Sequence, residues 1–167
     1  MSRVAIFIGS DSDYDIIQEA CRVLEGFGLP FSLEVTSAHR SPERTLRLVR
    51  KAEEEGAAVF IAAAGKAAHL AGFVAAHTLR PVIGVPVESA GLGGLDALLS
   101  TVQMPKGVPV ATMALGKTGA ANAAYLAAQL LSLSDPGLLD KLAKHRENQA
   151  AAVEEASRAL GKKTHRA

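Results

Sequence analysis

The sequence predicts an α/β fold: a three-layer αβα sandwich around a parallel sheet of about five strands, closed by a C-terminal helix. Three observations carry this. Short apolar runs of strand length alternate along the chain with longer segments whose apolar residues recur at helical spacing. The first of those runs is apolar throughout, as a strand covered on both faces is. The 167 residues, 49% apolar against 21% charged, hold enough hydrophobic material for one sizeable core. Strands alternating with helices then imply right-handed crossovers and helices on both faces of the sheet.

Residues 4–8, Val-Ala-Ile-Phe-Ile, form the first strand, stopped by the turn formers Gly9, Ser10 and Asp11. From 14 to 27, Ile16, Ile17, Ala20, Cys21, Val23, Leu24 and Phe27 share helical spacing, with Asp13 at the N-cap and Gly28 just past the end. Residues 31–36 alternate and are rich in β-formers, and the loop 37–42 follows, with Pro42 suited to the first turn of a helix. An amphipathic helix over 45–55 is closed by Gly56, an apolar strand covers 57–63, and the next helix is predicted over 66–78. Residues 81–87 and 108–113 supply two further strands, separated by the glycine-rich stretch 91–94 and a short helix over 95–102. An apolar helix spans 120–133. After Asp135-Pro136-Gly137, a last and increasingly charged helix runs over 138–160. Residues 1–160 read as one domain and 161–167 as a frayed tail, with no internal repeat.

Composition excludes several classes of function. Eighteen Lys and Arg against seventeen Asp and Glu leave a net charge of +1, without the positive field that nucleic-acid binding requires. One cysteine forms no intramolecular disulfide, and no Cys/His cluster has zinc-ligand spacing, which points to a reducing, cytoplasmic setting. The apolar stretch 120–131 is well short of the roughly 20 residues a bilayer span needs, so no membrane segment is expected. The first apolar run is too brief for a secretory signal.

In open parallel sheets, ligands bind beyond the carboxyl ends of the strands, where helix N-termini present free amides. Three loops there carry chemistry. In Gly9-Ser10-Asp11-Ser12-Asp13, Ser10 or Ser12 can donate to a phosphate and Asp13 can accept from ribose hydroxyls, while Ser12 or Asp13 reads as well as a cap of the following helix. Ser37-Ala38-His39-Arg40-Ser41-Pro42 sets a proton-transfer imidazole beside a bidentate anion binder. Gly65-Lys66-Ala67-Ala68-His69-Leu70-Ala71-Gly72 places a glycine at the turn and His69 a few residues on, as a site residue or as a packed or capping one.

Other patterns fail a specific test. Gly116-Lys117-Thr118 lacks the earlier glycine of a phosphate loop, since Ala111 stands there. Asp11, Asp13 and Lys117 suggest a phospho-receiver, but residues 62–65, Ala-Ala-Ala-Gly, offer no acceptor aspartate. His69 and His77 have no carboxylate pair to complete a metal set, so no metal is expected. Cys21 belongs to the apolar pattern of its helix.

Taken together, the three loops, residues 81–87, Gln103-Met104-Pro105 and residues 116–122 resemble the PurE family over nearly all of the chain. The resemblance implies a flavodoxin-like fold, homo-octameric assembly and a cofactor-free step of purine biosynthesis. In that step a carboxylate leaves the exocyclic nitrogen of an aminoimidazole ribonucleotide and reappears on ring carbon four. It also implies His39 as the proton-transfer residue, and Ser10, Asp13 and Arg40 as substrate-binding positions, with Ser12, Ser37, Gly65 and His69 as further pocket residues. Lys66 departs from the glycine usual in the family's mutases, and Ala71 from their proline. Lys66 is similar instead to the arginine of related carboxylases, which makes direct carboxylation by carbon dioxide the alternative. A noncatalytic nucleotide- or flavin-binding module, recognisable by a bound yellow chromophore, is a third. Residues 90–94 are expected to close over the substrate and keep carbon dioxide in.

Overall fold

The computed structural model describes residues 4–89 and 91–164, and the chain divides into two compact units, Met1–Leu130 and Leu131–Ala167. The first unit holds β1 (Val4–Ile8), α1 (Tyr14–Phe27), β2 (Phe31–Val35), α2 (Pro42–Glu54), β3 (Val59–Gly65), α3 (Leu70–Ala75), β4 (Val82–Val87), α4 (Leu95–Val102), β5 (Ala111–Thr112) and most of α5 (Gly116–Ser132). The end of α5 and α6 (Pro136–Thr164) make up the second.

The five strands are all parallel, in the order β2-β1-β3-β4-β5, which is the flavodoxin-like arrangement. Both faces of the central strands are buried, as their unbroken apolar runs require. One face packs Ala5, Phe7, Phe60 and Ala62 against Val49 and Ala52 of α2 and Leu70, Ala71 and Val74 of α3. Val4, Ile6 and Ile8 alternate to the other face, the side left for α1 and α5, whose Phe27 and Tyr125 rings meet edge-on at 5.8 Å.

Strand register decides where a site can form. Ile8 lies beside both Val35 and Ala63, and Gly65 beside Val87, so the loops leaving β1 to β4 emerge along one edge. The chain runs outward from β1 to β2 and then crosses back to β3, so neighbouring connections diverge between β1 and β3 and open a crevice there.

Several elements shift their ends by a few residues, and three of the first unit differ most from expectation. The helix predicted over 66–78 survives only as Leu70–Ala75, because Lys66 adopts a φ of 56°, outside the helical region. The next amides close back at once, Ala68 N–H to Lys66 O and His69 N–H to Ala67 O, both at 2.8 Å. The strand predicted over 108–113 shrinks to Ala111–Thr112 at the sheet edge, since Pro109 has no N–H for a ladder. The helix expected from 120 starts four residues earlier, at Gly116, ahead of the apolar pattern that revealed it.

In the second unit, Pro136 occupies the first turn of α6 and Leu138 N–H donates to the Asp135 carboxylate at 3.2 Å, so the predicted turn residues begin the helix. The helix continues to Thr164; residues 165–167 of the expected tail lie outside the described residues.

Candidate active site

The loop after β1 is a single 3-10 turn, Asp11–Asp13, leading directly into α1. Its hydroxyls are drawn inward: Ser12 Oγ donates to Ser10 Oγ at 2.9 Å, and Ser12 N–H reaches Ser10 Oγ at 3.3 Å. Asp13 sits at the cap position of α1 but makes no side-chain capping bond, so its carboxylate stays available to the cavity it lines. Burial pushes the Asp13 carboxyl above its ordinary value; hydrogen bonds with Ser10 and Ser12 partly offset this, and the charge of Asp11 adds to it.

A raised folded-state value means that Asp13 adds stability below the unfolded value of 3.8, and that this is lost as pH rises through the folded value. At neutral pH the ionised carboxylate therefore costs the ligand-free protein. Asp13→Asn is expected to raise the melting temperature at pH 7 by about 1–2 °C, the gain fading toward pH 3, as melts across that range would show.

The turn after β2 is fixed from beneath. Buried Thr36 and Thr45 share a 2.8 Å hydroxyl contact, and Ser41 ties back to the Ser37 carbonyl through its N–H at 2.9 Å and its Oγ at 3.1 Å. Pro42 at the start of α2 stiffens the exit. On this base Arg40 donates from Nη2 to the Gly9 carbonyl at 3.0 Å and from Nε to Ser37 Oγ at 3.4 Å. The guanidinium is oriented by neutral acceptors, with no carboxylate in ion-pair range among the described residues, so its charge remains free for an anion.

His39, on the same turn, meets the loop after β3. Its Nε2 lies 2.8 Å from His69 Nδ1, with the rings nearly perpendicular and their centroids 4.8 Å apart. Two N–H donors do not face each other at that distance, so one proton lies between these nitrogens, whichever ring holds it. The contact thus ties the imidazole of the turn after β2 to that of the loop after β3.

These loops enclose a cavity of about 550 Å³, within the range of small-molecule sites. It is lined by Gly9, Ser10, Ser12 and Asp13 after β1, and by Ser37, Ala38, His39 and Arg40 after β2. Ala64, Gly65, Lys66, Ala67 and Leu70 come from the end of β3 onward, and Val87, Glu88 and Ser89 from β4. Gly65 leaves little room for a side chain: a Cβ there would stand 3.1 Å from the Val87 carbonyl oxygen. Every site residue expected from the sequence lines this cavity except His69, which stands against His39 instead.

Glu88 and Ser89 were not anticipated. They follow a strand end just as the other loops do, and that rule alone points to them. Ser89 Oγ is buried with no hydrogen-bond partner among the described residues. Ala90, the start of the expected closing loop, lies outside the described residues. Among the described residues no three His, Cys, Asp or Glu side chains are grouped to hold a metal, and no helix is long and apolar enough to cross a membrane.

The fold and cavity define a flavodoxin-like α/β protein whose switch-point pocket gathers serine hydroxyls, an aspartate, an arginine and one member of an imidazole pair. Residues 3–152 match the AIR carboxylase family, and the chain belongs to it. It is 49% identical over 157 residues to the N5-carboxyaminoimidazole ribonucleotide mutase of Pyrococcus horikoshii, covering 94% of this chain and 88% of that protein. The mutase of Escherichia coli K12 is 51% identical over 152 residues, 91% of this chain and 90% of its own. Among solved structures, Treponema denticola PurE superposes with a TM-score of 0.83 at 29% identity, over 91% of this chain and 94% of that one.

Proposed function

We propose that the chain is an N5-carboxyaminoimidazole ribonucleotide mutase, an isomerase that produces 4-carboxy-5-aminoimidazole ribonucleotide for purine synthesis. The observation that carries this reading is that His39, paired with His69 behind it, and the unpaired guanidinium of Arg40 line one ribonucleotide-sized cavity.

The stoichiometry requires such a set. When the carboxylate leaves the exocyclic nitrogen, the C–N bond breaks, its electron pair stays on nitrogen, and that nitrogen gains a proton. When ring carbon four attacks the released carbon dioxide, a C–C bond forms and that carbon loses its proton to restore the aromatic ring. One proton is delivered and one removed, so a single imidazole can do both and return to its starting state. His39 is that group and His69 its positioning partner. Arg40, Ser10 and Ser12 take the phosphate, Asp13 the ribose hydroxyls, Ser37 holds Arg40, and Gly65 keeps the wall close.

Carbon dioxide must remain near the ring between the two half-reactions. Small side chains at Ala38, Ala64, Gly65 and Ala67 let the walls approach the substrate, and closure of 90–94 would complete the enclosure. No cofactor enters this scheme, and the partner is the small-molecule ribonucleotide. A homo-oligomer, octameric on this reading, is supported by Leu95, Leu99 and Val102, exposed at helical spacing on α4. A cytoplasmic location is supported by the single, free and buried thiol of Cys21.

One observation favours a second reading, direct carboxylation of aminoimidazole ribonucleotide: Lys66 adds a cation to the wall. Purified protein incubated with each ribonucleotide separates the two. The mutase reading expects turnover of the N-carboxylated substrate without added bicarbonate, and a strict need for carbon dioxide with the uncarboxylated substrate would replace it.

A further inference from the structure

We infer that Lys66 is the carboxylate-reading residue of this cavity, its ammonium engaging the carboxylate that moves between nitrogen and carbon. The inference rests on the mutase reading and adds a specificity residue to it.

Lys66 is the single non-glycine residue with positive φ among those described, at 56°. Glycine reaches that conformation freely, whereas a side chain resists it. A lysine nevertheless occupies the position, lines the cavity, and has no carboxylate within ion-pair distance among the described residues. Glu88 lines the same cavity and does not neutralise it. The ammonium is therefore an exposed, unpaired cation on a left-handed turn at the cavity wall.

The substrate carries two anions, a phosphate and a carboxylate, and the cavity offers two unpaired cations on different loops. Arg40 is fixed to Gly9 and Ser37, beside the Ser10 and Ser12 hydroxyls, where its planar fork suits a stationary phosphate. Lys66 stands on the tight turn that carries His69, and His69 touches His39, so this second cation is tied to the proton-transfer end. A carboxylate that changes its point of attachment needs a partner that can follow it. A compact ammonium on a flexible stem does so, while a rigid fork held by two acceptors does not.

Two variants separate charge from backbone. Lys66→Met removes the ammonium and keeps a side chain at positive φ; Lys66→Gly removes both the charge and the strain. Binding of 4-carboxy-5-aminoimidazole ribonucleotide is expected to weaken about 10-fold or more in both, from loss of a charge-assisted contact. Binding of uncarboxylated aminoimidazole ribonucleotide should change less than about 2-fold, and only Lys66→Gly should melt above wild type. Equal weakening of both ligands would move Lys66 to the phosphate, and unchanged binding of both would place its ammonium in solvent; either overturns the inference. Failure of the mutase reading shows differently: wild-type protein would not interconvert the two carboxylated ribonucleotides, and the inference would fall with it.

Discussion

His39→Asn is expected to lose turnover by about 100- to 10,000-fold while binding the ribonucleotide within about 3-fold of wild type. Asparagine preserves polarity and much of the side-chain volume, and the Thr36, Thr45 and Ser41 bonds beneath the turn do not involve His39. The cavity wall should keep its shape. In the proposed mechanism the group lost is the one that gives a proton to nitrogen and takes one from carbon, and asparagine does neither near neutral pH. Steady-state rates together with equilibrium titration check this. Activity within about 3-fold of wild type would remove His39 from the chemistry.

Arg40→Ala acts on the other half of the problem, with an expected rise of about 100-fold in KM from loss of a bidentate phosphate contact. The guanidinium spends Nε and one Nη on Ser37 and Gly9, leaving further N–H donors for the ligand. Arg40→Lys should recover little, because a single ammonium cannot span both anchors and also face the anion. Asp13→Asn should weaken binding about 10-fold by replacing a charged carboxylate, which accepts from ribose hydroxyls through two oxygens, with a neutral amide that accepts through one, despite the higher melting temperature expected of it. Stability and affinity moving in opposite directions at one residue is the behaviour of a group held for function at a cost to the fold. An unchanged KM in Arg40→Ala would place the phosphate elsewhere.

Much of this was legible in the residues. β1 and α1 were placed at their observed ends because an apolar run stopped by Gly9 and a helical pattern stopped by Gly28 leave little freedom; Gly28 has a φ of 69°. Where the chain broke its own pattern the reading failed. Residues 66–78 have helical composition, and nothing in them announces that Lys66 is left-handed. Pro109 was visible, yet its effect on strand length depends on β5 lying at the sheet edge, which only the topology reveals.

The site followed the same logic. As lining of the cavity, Ser10, Ser12, Asp13, Ser37, His39 and Arg40 were legible because they follow a strand, and Gly65 because it ends one, and each carries a chemistry or a spacing need of its own. The role of His69 was not recoverable, because it arises from a 2.8 Å contact between rings thirty positions apart, created by the crossing of the chain from β2 to β3. Glu88 and Ser89 belong to a fourth loop without a conspicuous motif, and their place in the wall comes from the pairing of β4 with β3.

The most direct test follows the carboxyl carbon. Wild-type protein is given substrate labelled with carbon-13 in its N-carboxylate, in buffer containing excess unlabelled bicarbonate, and the product is analysed by mass. Retention of the label in nearly all of the product is the predicted result, since the cavity holds carbon dioxide between its release from nitrogen and its capture by carbon. Product carrying the unlabelled carbon of the buffer would contradict the account, because the carboxyl group would then have left the protein before returning.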